Sequence, residues 1–365
     1  SIYSDHDFTL LKSSISQKPI LHNDLALLLS TSGSTGSKKL VRLSYENLRS
    51  NTESIVEYLE IDGKERSITT LPMSYSYGLS IINSYLQAAA SIVMTNKTLV
   101  QKEFWSLLKN HNVTSFGGVP FTYEMLNRLK FFQMELPSLR VLTQAGGKLS
   151  LELQRKFAKY ARENGKRFYV MYGQTEASPR ISYLPYERSI DRCGSIGVPI
   201  PGGQLYLVDE NKNKIDDHES IGELVYMGKN VSLGYAEKLE DLDKGDQGNG
   251  VLYTGDLAKV DSEGFFWITG RKKRFLKIFG NRVNLDEIEE LLKNKFSEVD
   301  IACNGVDDKI FIYVTNEGVS SDITEYISSK TGLNFHSFSV RYISEIPKNK
   351  SGKTAYTNLN NVFEQ

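Results

Sequence analysis

The 365-residue sequence contains only two cysteines, Cys193 and Cys303, and only five histidines. The cysteines lie far apart, and no further Cys or His stands near either of them at a ligand spacing. Neither a disulfide framework nor a zinc site is therefore expected. A reducing, cytoplasmic compartment fits this composition best.

Long apolar runs and an excess of one charge are also missing. The start, "SIYSDHDFTLLKSSIS", has charges where a signal peptide needs an apolar centre, and no later run approaches the roughly 18 apolar residues of a membrane span. The 44 basic and 44 acidic side chains cancel. This balance gives no electrostatic reason to expect nucleic acid or a membrane as partner.

Alternating segments dominate residues 66–172, where short β-rich runs are followed by runs of helical periodicity. This order predicts an α/β fold with a doubly wound, mainly parallel sheet. Ligands bind such sheets where strands end and loops begin, so "QAGG" at 144–147 and "YGQTE" at 172–176 are expected at a site.

The pattern changes after Pro179. Residues 180–269 contain short alternating strands separated by Gly, which predict a small β-rich subdomain. Beyond Gly270 the sequence predicts a helix capped by Asn284, two strands, a helix from Asp322 to Lys330 and a last strand. This part is predicted to be a compact α+β module of roughly ninety residues.

A stretch rich in Ser, Thr and Gly, "STSGSTGSKK", follows the apolar segment "DLALLLS". Its glycines would let the backbone approach a ligand, and its hydroxyls and amine could bind phosphate oxygens. A solvated linker is the alternative, but the preceding strand and the predicted helix cap at Ser44 weigh against it. It is not a Walker A loop, because the Gly spacing is wrong. The candidate phosphate ligands are Thr31, Ser32, Gly33, Ser34, Thr35, Gly36 and Lys39.

Seven motifs occur in one order along the chain, and together they resemble the adenylate-forming superfamily of acyl-CoA synthetases, nonribosomal-peptide adenylation domains and beetle luciferases. They are "STSGSTGSKK", "YGQTEAS", "GSIGVPIPGG", "GELVYMGKNVSLGY", "YTGD", "GRKKRFLKIFGNRVNLDEIE" and "PKNKSGKT". The resemblance implies a large adenylate-forming domain at 1–270, a hinge at 271–274 and a mobile C-terminal lid domain at 275–365. It also implies activation of a carboxylic acid by ATP to acyl-AMP with release of pyrophosphate, and then transfer to the thiol of CoA or of a carrier protein's phosphopantetheine.

The resemblance also assigns nucleotide-binding roles. The Ser/Thr/Gly loop would hold the phosphates that leave as pyrophosphate, Thr175 would contact the α-phosphate and Glu176 would bind Mg²⁺. Asp256 would accept the ribose hydroxyls. The other residues assigned to the nucleotide are Tyr172, which would stack on adenine, Gly146 and Gly147 on its other face, Gly173 and Gln174 of the same motif, Arg271, and Lys277.

Two lysines near the C-terminus have further roles in the resemblance. Lys353 in "PKNKSGKT" matches the catalytic lysine, which would place positive charge between the carboxylate and the α-phosphate. Lys273 takes the hinge position, about which the C-terminal domain would turn between adenylation and thioester formation.

The acyl pocket is expected around "LPMSYSYGLS", where Tyr75 takes a gating position and Gly78 follows it. Val119, with Pro120 and Tyr123, is a candidate second wall, although core packing explains Val119 and Pro120 equally well. No acidic residue occurs from 71 to 87, so a free amino acid, whose ammonium needs a partner, is disfavoured. A short or medium organic acid is preferred over a long-chain fatty acid.

The sequence departs from the superfamily pattern in two places. Lys38 and Leu40 replace the usual Pro and Gly around the loop, and only about thirty residues precede the loop where most relatives carry a further α/β subdomain. Either a naturally short subgroup or a fragment would explain the second departure. Three functions stay open: an acid–thiol ligase, an acyl-AMP-forming enzyme without thiol transfer, and a non-catalytic nucleotide-binding relative. An acyl carrier protein and a second copy of this chain are candidate partners.

Overall fold

The computed structural model describes residues 3–5, 8–10, 19–30, 39–218, 220–348 and 354–361. For residues 3–5, 8–10, 273, 281, 282, 357, 360 and 361 it describes the backbone alone. The described chain combines a mainly parallel sheet, smaller antiparallel sheets and a C-terminal α+β module, which confirms the predicted fold class. No helix within these ranges is long and apolar enough to cross a membrane.

The first described strands form antiparallel pairs, β1 with β2 and β3 with β4. They are β1 (Tyr3–Asp5), β2 (Phe8–Leu10), β3 (Leu25–Ser30) and β4 (Leu40–Ser44). Ser30 at the end of β3 is paired with Leu40 at the start of β4. The predicted phosphate loop therefore joins two strands of one hairpin, whereas the sequence suggested that it leads directly to a helix.

Helix α1 (Tyr45–Leu59) begins immediately after β4. The Ser44 hydroxyl accepts a hydrogen bond from the Asn47 amide at 3.0 Å, and the Asn47 side chain accepts one from the Ser44 amide at 2.8 Å. These two bonds satisfy backbone donors that a helix start leaves open. The predicted cap at Ser44 is confirmed.

The largest sheet contains seven described strands in the order β11-β10-β9-β8-β7-β5-β6. They are β5 (Arg66–Ile68), β6 (Ser91–Val93), β7 (Ser115–Gly118), β8 (Val141–Gln144), β9 (Arg167–Gly173), β10 (Arg180–Leu184) and β11 (Val198–Pro199). Strands β5 to β9 are parallel, and β10 and β11 extend the sheet antiparallel. The sequence placed 180–199 in the β-rich subdomain, but these two strands pair with the parallel sheet.

Helices cover both faces of this sheet. In addition to α1 they are α2 (Ser76–Gln87), α3 (Lys102–Asn110), α4 (Pro120–Arg128) and α5 (Leu151–Glu163). Residues of α1 and α2 pack with one set of alternate strand residues, including Tyr169, and residues of α3, α4 and α5 pack with the other set, including Phe168. This alternation follows from the strand period of two, and burial of both faces is typical of a parallel sheet.

An antiparallel sheet follows in the chain, with five described strands in the order β13-β12-β14-β16-β17. These strands and the neighbouring β15 are β12 (Gln204–Val208), β13 (Lys214–Ile215), β14 (Gly222–Met227), β15 (Gly234–Ala236), β16 (Val251–Val260) and β17 (Phe266–Arg271). β15 pairs instead with β4. The β-rich part thus holds the hairpin of the predicted phosphate loop in place.

The C-terminal module has its own apolar core. Its elements are β18 (Phe275–Ile278), β19 (Asn281–Asn284), α6 (Leu285–Lys295), β20 (Ile301–Val306), β21 (Lys309–Val314), α7 (Ser320–Thr331), β22 (Phe338–Tyr342) and α8 (Tyr356–Asn361). The Asn284 side chain accepts a hydrogen bond from the Asp286 amide, as predicted for the cap of α6. Asn284 also donates to the Thr269 carbonyl at 2.9 Å, so this cap contacts the last strand before the predicted hinge.

Candidate active site

The loops after β8 and β9 leave the same edge of the large sheet, because these strands are parallel neighbours. The first loop contains Gly146 and Gly147, and the second contains Gln174 and the short 3₁₀ turn Thr175–Ala177. Strand β16 of the antiparallel sheet contributes Asp256. The structure therefore brings residues from three separate motifs to one region, at the sheet edge where ligands are expected.

Asp256 forms the centre of this region, and its carboxylate has three partners. One oxygen, Oδ2, accepts hydrogen bonds from the Tyr172 hydroxyl and from Gln174 Nε2, the latter at 3.1 Å. The other oxygen, Oδ1, lies 3.3 Å from Arg271 Nε. Asp256 is only 5% exposed. A carboxylate buried to this extent needs such partners, because removing the charge from water is costly.

The two sheets supply these partners in a fixed geometry. Asp256 on β16 stands directly opposite Arg271 on β17, and Gln174 also donates to the Thr254 carbonyl at 3.0 Å. Burial, and after it the neighbouring Asp256 carboxylate, raises the pKa of Tyr172 well above its usual value. Tyr172 therefore keeps its proton and remains a donor. The predicted ribose ligand and the predicted adenine-stacking residue are in direct contact.

The turn after Gln174 places two more predicted residues. Thr175 Oγ1 lies 3.3 Å from the Ser76 hydroxyl at the start of α2, so the predicted α-phosphate ligand adjoins the predicted acyl region. The Glu176 carboxylate accepts a hydrogen bond from the Tyr235 hydroxyl at 2.8 Å. Burial and Glu176 raise the pKa of Tyr235, so this hydroxyl also stays protonated.

Tyr235 and Arg42 belong to this arrangement, and the sequence analysis did not single them out. Arg42 on β4 is completely buried and donates to backbone carbonyls, including Leu233 at 2.7 Å and Tyr235 at 3.2 Å. It thereby fixes β15 beside β4 and holds Tyr235 against Glu176. The only sequence signal was that Tyr235 ends the "VSLGY" segment.

Several predicted site residues lie outside the part of the chain that the structure describes. Thr31, Ser32, Gly33, Ser34, Thr35, Gly36 and Lys353 lie outside the described residues, as does the side chain of Lys273. Lys39 is described, and its amine lies 2.7 Å from the Glu237 carboxylate in an exposed ion pair. Exposed pairs of this kind are weak, so Lys39 can exchange this partner for a phosphate.

Gly146, predicted to line the adenine, lies beside residues of the predicted acyl pocket. Its φ is +88°, and a Cβ at this position would lie 2.6 Å from the Tyr75 hydroxyl and 3.1 Å from Val119 Cγ1. A side chain is therefore excluded by both backbone conformation and space. Gly146 joins the predicted acyl-pocket residues Tyr75 and Val119, and Gly147 packs on Pro120.

Two other predicted glycines serve close backbone packing. A Cβ at Gly78 would clash with the Pro72 carbonyl, and one at Gly173 would clash with the Pro179 carbonyl. Gly78 therefore lets α2 approach the preceding loop. Tyr123, a candidate pocket wall, is fully buried in the core, where it packs on Phe157 and donates to the Thr143 carbonyl.

Lys277 lies away from the Asp256 group. It is on β18, its amide donates to the Asp307 side chain at 2.9 Å, and its own side chain is exposed. Its amine contacts none of the described residues around Asp256. The structure thus joins Arg271 to the predicted nucleotide site but not Lys277.

Glu176 is the residue that the sequence analysis assigned to Mg²⁺. The described part of the chain has no group of three or more His, Cys, Asp or Glu residues that could hold a metal. Mg²⁺ commonly takes one or two carboxylates and completes its shell with substrate phosphates and water. Glu176, the predicted Mg²⁺ ligand, lies beside the strands that flank the predicted phosphate loop.

Comparison with known proteins assigns the family. The model of the family described as "AMP-binding enzyme" matches residues 4–236, well over half of the chain. The chain belongs to the AMP-binding enzyme family. This membership confirms the resemblance to adenylate-forming enzymes that the seven motifs indicated.

Curated relatives of this AMP-binding family member include two bacterial proteins named long-chain-fatty-acid–CoA ligase. The protein from Escherichia coli O157:H7 is 30% identical over 92% of this chain and 61% of its own length. The protein from Bacillus subtilis strain 168 is 28% identical over 91% of this chain and 60% of its own length. The chain spans about three fifths of the length of these relatives.

Solved structures share the fold. O-succinylbenzoate coenzyme A synthetase from Bacillus subtilis, in complex with AMP, has a TM-score of 0.76 at 23% identity, covering 93% of this chain and 70% of its own. McyG A-PCP, complexed with phenylalanyl-adenylate, has a TM-score of 0.73 at 26% identity, covering 97% and 60%. Both contain the mixed α/β architecture described above.

Proposed function

We propose that this chain is an AMP-forming acid–thiol ligase. It would use ATP to convert a carboxylic acid to acyl-AMP with release of pyrophosphate, and then transfer the acyl group to a thiol with release of AMP. The observation that carries this proposal is the buried Asp256 carboxylate, which Tyr172, Gln174 and Arg271 surround at the sheet edge. Membership of the AMP-binding family and the ligase names of the relatives support it.

Asp256 would bind the ribose. An ionised carboxylate accepts two hydrogen bonds readily, which suits the paired hydroxyls of a ribose. Arg271 is 58% exposed and can follow the nucleotide as it binds. Tyr172 is tied to Asp256 through its hydroxyl, which would fix its ring beside the nucleotide base.

The phosphates would lie between Thr175, Glu176 and the hairpin of β3 and β4. Thr175 would hold the α-phosphate, while Lys39 and the loop at 31–36 would hold the phosphates that leave. Glu176 would bind Mg²⁺, which neutralises phosphate charge and lowers the barrier to attack by a carboxylate. Tyr235 would keep the Glu176 side chain oriented.

The reacting carboxylate would enter beside Ser76 and Tyr75, because Ser76 contacts Thr175. Tyr75, Val119 and Gly146 would form the wall of this entrance. Lys353 would place its positive charge between the carboxylate and the α-phosphate, where charge shifts during the reaction. Tests of Lys353 therefore address the chemistry directly.

The thiol step would use the C-terminal module at 275–365 as a lid that turns about 271–274. Arg271 connects both parts, since its side chain contacts Asp256 and its amide donates a hydrogen bond to the Asp286 carboxylate at 3.1 Å. An ion pair between Lys148 and Glu290, at 2.7 Å, joins α6 to the loop beside Gly147. CoA is the favoured acceptor because the curated relatives are named CoA ligases, and a carrier-protein thiol is the alternative.

An ATP–pyrophosphate exchange screen over a panel of carboxylic acids, including amino acids, tests this function. We expect acid-dependent exchange, and AMP release only after CoA or a pantetheine thiol is added. Exchange without any thioester product would replace the proposal with an acyl-AMP-forming enzyme. ATP binding without exchange for any acid would leave a non-catalytic nucleotide-binding protein.

A further inference from the structure

A small, partly open cavity lies between α1, α2 and the large sheet. Its volume is about 10 Å³, which is enough for one water or for one oxygen atom of a larger group. Most of its polar lining is already satisfied: Ser80 and Ser84 donate to carbonyls of α2, and Thr143 bonds with Tyr77. The remaining polar atoms decide what the cavity can bind.

Two buried donors in this lining have no hydrogen-bond partner, Arg180 Nε and Ser67 Oγ. Arg180 is 3% exposed and Ser67 is 1% exposed. The Arg180 guanidinium lies 4.2 Å from the centre of the Tyr77 ring and within hydrogen-bonding reach of the Tyr58 hydroxyl. Among the described side chains, no carboxylate forms an ion pair with it.

An arginine this deep in a protein normally has acceptors for its N–H groups, either carboxylates or several backbone carbonyls, because an isolated buried charge is strongly unfavourable. The aromatic ring of Tyr77 compensates part of the charge. An acceptor atom that carries negative charge would satisfy Arg180 Nε and Ser67 Oγ together. Water could accept both hydrogen bonds but would leave the charge uncompensated.

The cavity lies along the helix that begins at the proposed reaction centre. Helix α2 starts at Ser76, which contacts Thr175, and the lining residues Ser80 and Ser84 follow one and two turns later. At 1.5 Å per residue these positions are about 6 and 12 Å from Ser76 along the helix axis. Tyr77 bridges the two places, since its ring packs edge-on against Tyr75 and its face carries Arg180.

We propose that Arg180 and Ser67 bind an anionic group at the far end of the acid substrate. This inference rests on the proposed acid-activating function and specifies its substrate class: a dicarboxylic acid, or another acid whose second negative group lies about 6–12 Å from the reacting carboxyl. An alkyl tail would leave Arg180 uncompensated. Long-chain fatty acids are therefore disfavoured, although the curated relatives are named for them.

Matched pairs of acids test this proposal with the unmodified protein. Adipate, suberate and sebacate are compared with hexanoate, octanoate and decanoate in ATP–pyrophosphate exchange. We expect kcat/KM to be at least about tenfold higher for a dicarboxylate than for the monocarboxylate of equal length. Equal values for all pairs, or a preference for the monocarboxylates, would overturn the proposal.

Two variants locate the effect. Arg180→Met should lower kcat/KM for the preferred dicarboxylate by about 30-fold or more and leave the monocarboxylate within about threefold. Ser67→Ala, a smaller change that removes one donor, should lower it by about threefold to tenfold. Arg162→Met, an exposed arginine on α5, is the matched control and should not alter the preference. Equal losses for both acid classes in both variants would contradict the assignment.

Binding without ATP separates this subsite from the overall function and from a free inorganic anion. Calorimetry should show suberate binding to the wild type and at least about tenfold weaker binding to Arg180→Met. If exchange fails with every acid but this difference persists, the proposed reaction fails and the subsite stands. If sodium chloride abolishes suberate binding and itself stabilises the wild type but not Arg180→Met, the site holds a free anion and the substrate assignment is overturned.

Discussion

The two ends of the proposed site differ in how their buried charges are compensated. At the nucleotide end, the Asp256 carboxylate has donors from Tyr172, Gln174 and Arg271. At the acid end, the Arg180 guanidinium has an aromatic ring and no carboxylate among the described residues. The charge at the nucleotide end is compensated by the protein alone. The charge at the acid end is compensated only when an anion binds.

Other buried arginines in the chain show that this contrast is informative. Arg274 lies between the carboxylates of Asp286 and Glu289, and Arg42 donates to several backbone carbonyls. In both cases the protein itself supplies the acceptors, as buried charges require. Arg180 departs from this pattern, and it does so in a cavity beside the expected substrate path.

We expect the largest effect from substitution of Lys353, which is assigned to the reaction centre between the nucleotide and the acid. Lys353→Ala should lower acid-dependent exchange by about 10²- to 10³-fold, because positioned charge of this kind stabilises the transition state. ATP binding measured by calorimetry should change little. Lys348→Ala, from the same segment, is the control, and equal exchange rates in the two variants would contradict the assignment.

Removal of the carboxylate at the nucleotide end should have the next largest effect. Asp256→Asn should weaken AMP binding by about 100-fold, since hydrogen bonds to a charged acceptor contribute about 1.5–3 kcal/mol each. The exposed Asp216→Asn serves as the control. The account of ribose binding fails if AMP binds both variants with the affinity of the wild type.

Alkaline pH should reveal the Tyr172–Asp256 contact. The pKa of Tyr172 is raised in the folded state, so its contribution to stability is complete below about pH 10 and is lost as pH rises through the folded pKa. Tyr172→Phe should therefore reduce the loss of unfolding free energy between pH 9 and 11 by about 1 kcal/mol. Urea unfolding measures this change, and Tyr253→Phe, an exposed tyrosine, should leave the pH dependence unaltered.

The smallest expected effect concerns the contact between the C-terminal module and the large domain. Lys148 and Glu290 are 60% and 48% exposed, and exposed pairs contribute about 0.2–1 kcal/mol. Lys148→Ala should change the rate of thioester formation by less than about fivefold and leave exchange unchanged. A double-mutant cycle with Glu290→Ala isolates the pair, and a coupling that changes exchange instead would place the pair in the adenylation step.

The fold class and two helix caps could be predicted from local patterns. Alternating strand and helix periods indicate the parallel sheet, and the caps at Ser44 and Asn284 follow from side chains that can bind open backbone donors. The grouping of Asp256, Tyr172 and Arg271 came from motif resemblance, because no local pattern relates residues so far apart in sequence.

Long-range pairing explains what sequence analysis missed. Strand β4 is short and leads directly into α1, so "LVRLS" gives little sign of a strand until its pairing with β3 and β15 is known. Likewise, β10 resembles other short strands, and only its pairing with β9 assigns it to the large sheet. Gly146 contacts Tyr75, and Arg180 contacts Tyr77, and both neighbours lie on other elements far away in sequence.

Oxygen-isotope transfer tests the central claim most directly. If the acid carboxylate attacks the α-phosphorus of ATP, one carboxylate oxygen becomes the bridging oxygen of acyl-AMP and leaves with AMP when the thiol attacks the carbonyl carbon. With an ¹⁸O-labelled acid that supports exchange, mass spectrometry should find one ¹⁸O atom in each AMP released during thioester formation. Unlabelled AMP under the same conditions would show that the carboxylate does not attack ATP and would contradict the account.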